Sequence, residues 1–263
     1  MSPKRLPIYQ VDAFASKVFG GNPAAVVPLD SWLPDATMQS IAAENNLAET
    51  AFLVPGAEAW GLRWFTPTVE VDLCGHATLA SAWVIFHHLQ RGGSSVGFDT
   101  RSGRLTVKRD GDLIVMDFPS WPPKPIEAPA NLVKALGAVP KDVLSNRDLM
   151  AVFETADQVR ALKPDMAALA AIDAFAFVVT APGEGDCDFV SRFFAPAQGI
   201  PEDPVTGRAH CMLTPYWSKR LGKTELRARQ ISPRIGELIC RDLDERVAIA
   251  GHAVPYLEGF ITV

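Results

Sequence analysis

The chain has 263 residues, 48% of them apolar and 21% charged, with a formal net charge of −5. That composition describes a soluble globular protein of one large or two smaller domains, and its acidic balance excludes nucleic acid as the expected partner, because no basic surface is available to hold a phosphate backbone. Four scattered cysteines without a CxxC pair, an N-terminus without a leader pattern, and a longest apolar run (79–86) far below the ~20 residues that cross a bilayer predict a cytoplasmic protein with reduced thiols and no membrane association.

Leu6 to Phe14 reads as a first strand, with Ile8, Val11 and Phe14 interleaved by Gln10 and Asp12. Phe19-Gly20-Gly21-Asn22-Pro23 predicts a turn, since paired glycines permit positive φ and Pro23 holds Asn22 extended. Ala24 to Leu29 resumes as a strand. Pro34-Asp35 then opens a helix that carries Met38, Ile41 and Ala42 and ends near Asn45-Asn46. In the next run, 46–54, one carboxylate, Glu49, stands at the entrance to β-prone apolar residues. Partial burial there would raise a carboxylate's pKa and suit it to shuttle protons near neutral pH. A glutamate at a strand end facing water is the simpler alternative.

Leu62 to Pro67 reads as a strand. It is followed by the turn Cys74-Gly75-His76 and a helix from His76 to Leu89 that is apolar on most faces and therefore central. Strands are expected at 96–98, 104–108 and 113–118, joined by Ser102-Gly103 and Asp110-Gly111 turns. Segment 119–129 holds five prolines, which neither a packed helix nor a central strand accommodates. It is the expected linker between a first domain, 1–118, and a second, 130–263, whose C-terminal segment is free to return to the first. The second half predicts helices at 131–136 and 166–171 and strands at 149–154, 174–180 and 189–194.

One pattern occurs twice. Arg63-Trp64-Phe65-Thr66-Pro67 with Cys74-Gly75-His76-Ala77-Thr78 is echoed by Arg192-Phe193-Phe194-Ala195-Pro196 with Asp203-Pro204-Val205-Thr206-Gly207-Arg208, and an apolar, aromatic helix follows each copy. The echo continues into a following hairpin, where 230–242 parallels 100–107. An α+β duplication is the expected fold class, its two helices presenting their N-termini to a shared cleft.

A helix N-terminus opened by a glycine turn concentrates unpaired N–H donors and partial positive charge, which suits a carboxylate and any negative charge that develops beside it. Gly75 and Ala77 on one side and Gly207 and Arg208 on the other are the candidate substrate-binding residues. His76, at a helix start, is expected neutral, donating one hydrogen bond and accepting another. Asp203 is positioned to accept from a substrate amine or to orient Glu49 or His76, although an Asp before Pro204 is also a common turn former. No HExxH, CxxC, GxSxG or GxGxxG pattern occurs, so neither metal nor dinucleotide is expected.

The motifs Gly20-Gly21-Asn22-Pro23-Ala24-Ala25-Val26, Asn46-Leu47-Ala48-Glu49-Thr50-Ala51-Phe52, Val71-Asp72-Leu73-Cys74-Gly75-His76-Ala77-Thr78 and Glu202-Asp203-Pro204-Val205-Thr206-Gly207 together resemble the phenazine-biosynthesis-like (PhzF-type) isomerase family. The resemblance runs from about Tyr9 to the end of the chain. It implies a diaminopimelate-epimerase-like fold of two pseudo-symmetric halves, each a β-barrel-like mixed sheet around a central apolar helix. It also implies a homodimer, and cofactor-free proton shuttling on a small carboxylate-bearing metabolite. By the same resemblance Glu49 is general base and acid, with His76 and Asp203 at the active site.

The related epimerases use two cysteines. Cys74 stands where the first belongs, but Pro204 stands where the second does, which disfavours a two-thiol mechanism. Arg208 replaces a small hydroxyl residue of the family and is expected either to clamp a carboxylate or to fill the pocket. Ile235 replaces a glycine of the family's turn. An epimerase using Cys74, or a metabolite-binding protein without catalysis, are the alternatives.

Overall fold

The computed structural model describes residues 4–90 and 93–263. The fold is mixed α/β and dominated by sheet. The chain packs as two units, one formed by Met1–Asp117 with Ala250–Val263 and the other by Phe118–Ile249.

The first unit is built on strands β1 (Arg5–Ala13), β2 (Asn22–Pro28), β3 (Glu49–Val54), β4 (Trp60–Phe65), β5 (Glu70–Val71), β6 (Ser95–Thr100), β7 (Gly103–Asp110) and β8 (Leu113–Pro119). β1 lies antiparallel to both β2 and the C-terminal strand Ala253–Thr262. β2 runs parallel to β3, β3 antiparallel to β4, and β4 antiparallel to β5 and parallel to β6, with β6, β7 and β8 forming a meander. Helix α1 (Asp35–Asn45) packs Met38, Ile41 and Ala42 onto Ala25, Val27 and Phe52. A second helix, α2 (Gly75–Val84), lies against β1, β2 and β3. Because side chains alternate along a strand, cover from two helices explains why β2 and β3 read as unbroken apolar runs.

The turn chemistry read from the sequence holds locally. Asn46 ends α1 in the left-handed region (φ 49°), its N–H returning to the Ala42 carbonyl. A side chain on Gly21 (φ 61°) would place its Cβ 2.1 Å from the Ala13 carbonyl oxygen, so the turn into β2 requires glycine.

Helix α2 departs from expectation at its end. All but two of its ten residues are buried, as a central helix requires, but regular α geometry stops at Val84 and a π-helical turn covers Ile85–Leu89. His87 accounts for this: its ring stacks on Trp83 at 4.3 Å, and its Nδ1 donates to the Trp83 carbonyl at 2.8 Å. That carbonyl is the one the His87 backbone N–H would take in an α-helix, so the ladder widens.

The second unit repeats the order of pairings. Its strands are β9 (Lys124–Pro125), β10 (Asp142–Ser145), β11 (Leu149–Val152), β12 (Phe177–Pro182), β13 (Phe189–Ala195), β14 (Ile200–Asp203), β15 (Glu225–Gln230), β16 (Gly236–Leu243) and β17 (Arg246–Gly251). β11 is parallel to β12, β12 antiparallel to β13, β13 antiparallel to β14 and parallel to β15, and β15 antiparallel to β16. That is the sequence of relations from β2 to β7. Helices α3 (Leu132–Leu136), α4 (Ala156–Ala161) and α5 (Met166–Ala170) contribute to one core with Phe153, Phe177 and Phe194. Helix α4 was not anticipated, although its Thr155/Gln158 capping box is a sequence signal.

Helix α6 (His210–Leu221) is the counterpart of α2, and it contains Pro215. A proline there leaves the Cys211 carbonyl without its helical donor. The backbone N–H of Trp121, in the proline-rich stretch, fills the gap at 2.9 Å. Together with the Lys124–Pro125 pairing to β10, this bonds segment 119–129 into the second unit.

Candidate active site

Glu49, Cys74 and His76 converge in the first unit because of strand order. β3 begins at Glu49 beside Ala24 of β2, and α2 begins where both strands meet its first turn, with Cys74 as N-cap residue. Glu49 Oε2 lies 2.9 Å from His76 Nε2, their side chains only 13% and 6% exposed, so Glu49 does not face water. Cys74 Sγ is 3.4 Å from His76 Nδ1, and the Thr78 hydroxyl donates to the Cys74 carbonyl, fixing the first turn. The Asn22 side-chain nitrogen is 3.2 Å from the same Nδ1. Asn22, held by the glycine turn before it, was not anticipated as part of this group.

His76 is shifted well above the usual imidazole range. Burial opposes the cation, but the Cys74 sulfur and the Glu49 carboxylate, both within hydrogen-bond reach of the ring, outweigh burial. This corrects the expectation of a ring kept neutral by the helix N-terminus. The Asn22 amide serves either form: its nitrogen donates to an unprotonated Nδ1, and turned about its axis its oxygen accepts from a protonated one. Cys74 is pushed up to about 11, first by burial and then by the Glu49 charge, with His76 and the Ala77 amide working in the opposite direction. At neutral pH it is a thiol. The Ala77 N–H therefore faces sulfur, and Gly75 is the partly exposed residue of that first turn.

Asp203, Gly207 and Arg208 lie in the second unit. Asp203 ends β14 and accepts a short hydrogen bond from the Thr206 hydroxyl. The fully buried Gln230 ties this turn down: its Nε2 donates to the Asp203 carbonyl at 2.7 Å and its Oε1 accepts from the Thr206 N–H at 2.8 Å. Gln230 lies in β15 and carried no signal in the linear sequence. Gly207 is buried in the single turn that leads into α6. Arg208 neither swings freely nor is wholly enclosed. One nitrogen donates to Asp148 at 2.7 Å, its guanidinium stacks 4.6 Å above Phe175, and the side chain stays 35% exposed. Burial raises the Asp148 carboxyl, and Arg208 offsets part of that rise.

The repeated arginines are structural. Arg63 grips Glu70 through two nitrogens at 2.7 and 2.6 Å, and Arg192 grips Glu202 the same way at 2.8 and 2.9 Å. Each guanidinium also sits over the aromatic ring two residues on, Phe65 or Phe194. Both clamps brace the strand that precedes the glycine turn.

Three comparisons bear on this arrangement. The family model for phenazine biosynthesis-like proteins (PhzC-PhzF) matches residues 11–259. A Pseudomonas aeruginosa protein named as an uncharacterized isomerase is 53% identical over 258 residues, covering 98% of each chain. The phenazine biosynthesis-like domain-containing protein of Homo sapiens is 41% identical over 286 residues, covering 98% of this chain and 99% of its own. Among solved structures, a PhzF-family phenazine biosynthesis protein from Enterococcus faecalis superposes with a TM-score of 0.97 at 45% identity, over 99% of this chain and all of that one. A hydroxyproline epimerase from Agrobacterium vitis, at 10% identity and a TM-score of 0.60 over 98% of this chain and 93% of its own, shares the fold alone.

Proposed function

The chain belongs to the phenazine biosynthesis-like protein family, whose matched members include named isomerases, and from that premise we propose a cofactor-independent isomerase that moves a proton between carbons of a small carboxylate-bearing metabolite. The observation that carries this reading is the shielded Glu49–His76 pair, 2.9 Å apart at the N-terminus of α2. Glu49 takes a proton from a carbon acidified by a neighbouring carboxylate or unsaturated bond and returns it to another carbon. His76 orients Glu49 and shares the proton, while the helix-start amide at Gly75 stabilises negative charge as it develops. By family resemblance Asp203 and Gly207 are further active-site residues, and Arg208, anchored by Asp148, recognises a carboxylate with its exposed edge.

On this reading the two units are pseudo-symmetric halves, each a barrel-like mixed sheet about one helix. The shared order of strand pairings supports it. A homodimer is inferred from family likeness, and a cytoplasmic setting fits four free thiols.

The test incubates small unsaturated carboxylates with the protein in D2O and follows deuterium entry by mass spectrometry. Glu49→Gln is expected to slow incorporation by about 10²- to 10⁴-fold, and wild-type rates in that variant would sink the assignment. Cys74 as an epimerase base is favoured by its place beside His76, but a thiol pushed up to about 11 is a poor base at neutral pH. Cys74→Ser is therefore expected to lose less than about tenfold, below the range for removing a general base.

A further inference from the structure

Seen as donor atoms, the same cluster has a second capability. A sulfur, an imidazole nitrogen and a carboxylate oxygen from Cys74, His76 and Glu49 all lie within 4.8 Å of one another. Bond lengths of about 2.0 to 2.3 Å to a tetrahedral zinc ion put neighbouring ligand atoms roughly 3.3 to 3.7 Å apart. The observed separations straddle that value: His76 Nε2 is 2.9 Å from Glu49 Oε2 and 4.0 Å from Cys74 Sγ. A small rotation of the ring toward sulfur brings both into range. The sequence showed no metal-ligand spacing because Glu49 reaches the pair only through the pairing of β2 with β3.

We propose that Glu49, Cys74 and His76 form a three-ligand site for a borderline-soft divalent cation, Zn2+ above all, with the fourth position open, and that its occupancy silences the proton chemistry.

The donor set selects the ion. Thiolate and imidazole suit zinc, whereas magnesium and calcium take shells of oxygen. Thiolate and carboxylate together carry two negative charges, so a bound dication is neutralised in a buried place where excess charge would be costly. The helix start favours the thiolate form of its N-cap residue. Coordination through Nε2 leaves Nδ1 for Asn22, whose side-chain oxygen can take the Nδ1 proton as an outer-shell partner. Binding forms three metal–ligand bonds and releases the thiol proton, with any proton on Nε2, to solvent. No oxidant or co-reactant is involved. The silencing, but not the binding, rests on the role proposed for Glu49, because the metal takes the lone pair that would accept the substrate proton.

The test strips the full chain with a chelator and titrates it with Co2+ alone. One equivalent is expected to give a thiolate-to-cobalt charge-transfer band in the near ultraviolet and the visible bands of a four-coordinate ion. Cys74→Ser loses the charge-transfer band, Glu49→Gln retains it at weaker affinity, and Cys187→Ala leaves the spectrum unchanged. In competition with a chromophoric chelator, Asn22→Ala weakens Zn2+ binding by about 10- to 100-fold, the range for an outer-shell partner, and Cys74→Ser by at least about 100-fold. A wild-type protein without the band, or a band unaltered in Cys74→Ser, overturns the site. Deuterium incorporation by the stripped enzyme tests the Glu49 reaction separately from any metal. Zn2+ is expected to suppress that incorporation, and incorporation unchanged or raised at full occupancy overturns the silencing.

Discussion

Acidification from about pH 7.5 to about pH 4.5 is expected to remove roughly 2.5 kcal/mol of stability through one residue, His210. This side chain opens α6, directly after the turn that carries Asp203 and Arg208, and is fully buried. Its Nδ1 donates to the Thr206 carbonyl at 2.9 Å, while Nε2 has no hydrogen-bond partner among the described residues. Protonating Nε2 would strand a charged donor in the interior. Burial accordingly pushes the pKa down to about 4, with the Thr206 bond opposing only weakly. In the unfolded chain a histidine titrates near 6.5. As the pH falls through that value the unfolded state takes a proton that the folded state refuses, so stability declines until the folded pKa is reached and then levels off. The assay is urea unfolding of the wild type and His210→Gln at both pH values. Carboxylate contributions cancel in the comparison, and the wild type should lose about 2.5 kcal/mol more than the variant. Equal losses would refute the reasoning.

Four further outcomes are expected. Glu49→Gln should lower the isotope-exchange rate by about 10²- to 10⁴-fold with the fold intact, because the amide still offers an oxygen to His76 Nε2. The same variant tests linkage: a raised His76 pKa contributes stability that is complete below about pH 6.5 and is lost as pH rises through the folded value, so Glu49→Gln, which leaves Cys74 in place, should shrink that alkaline decline in urea unfolding. An unchanged decline would show that another group causes it. Arg192→Lys should cost about 2 kcal/mol, since an ammonium cannot hold both Glu202 oxygens and also cap the Val159 and Leu162 carbonyls; a thermal melt within error of wild type would contradict this. Gly236→Ala should cost about 1 to 3 kcal/mol, because its Cβ would fall 2.1 Å from a Val205 methyl, and adding Val205→Ala should restore part of the loss. Failure of that rescue would place the strain elsewhere.

Much of this molecule is legible in linear order. The duplication is written in Arg63 to Thr78 and Arg192 to Arg208, and the turns at Gly21, Asn46, Gly103 and Gly111 follow from residues that tolerate positive φ. Helix α4 is equally legible through Thr155 and Gln158, which form its capping box. Other features depended on contacts between distant positions. The repeated arginines turn to Glu70 and Glu202, the end of α2 is set by the stacking of His87 on Trp83, and the turn at Asp203 is held by Gln230 from a later strand. The sequence by itself determined which residue types could move a proton and where helices and strands begin, because those depend on neighbours a few positions away. The protonation of His76, the thiol state of Cys74 and the assembly of a three-donor cluster were decided only by the tertiary structure. A buried group responds to charges within a few ångströms in space, and it is the parallel pairing of β2 with β3 against the first turn of α2 that brings Asn22, Glu49, Cys74 and His76 within that reach.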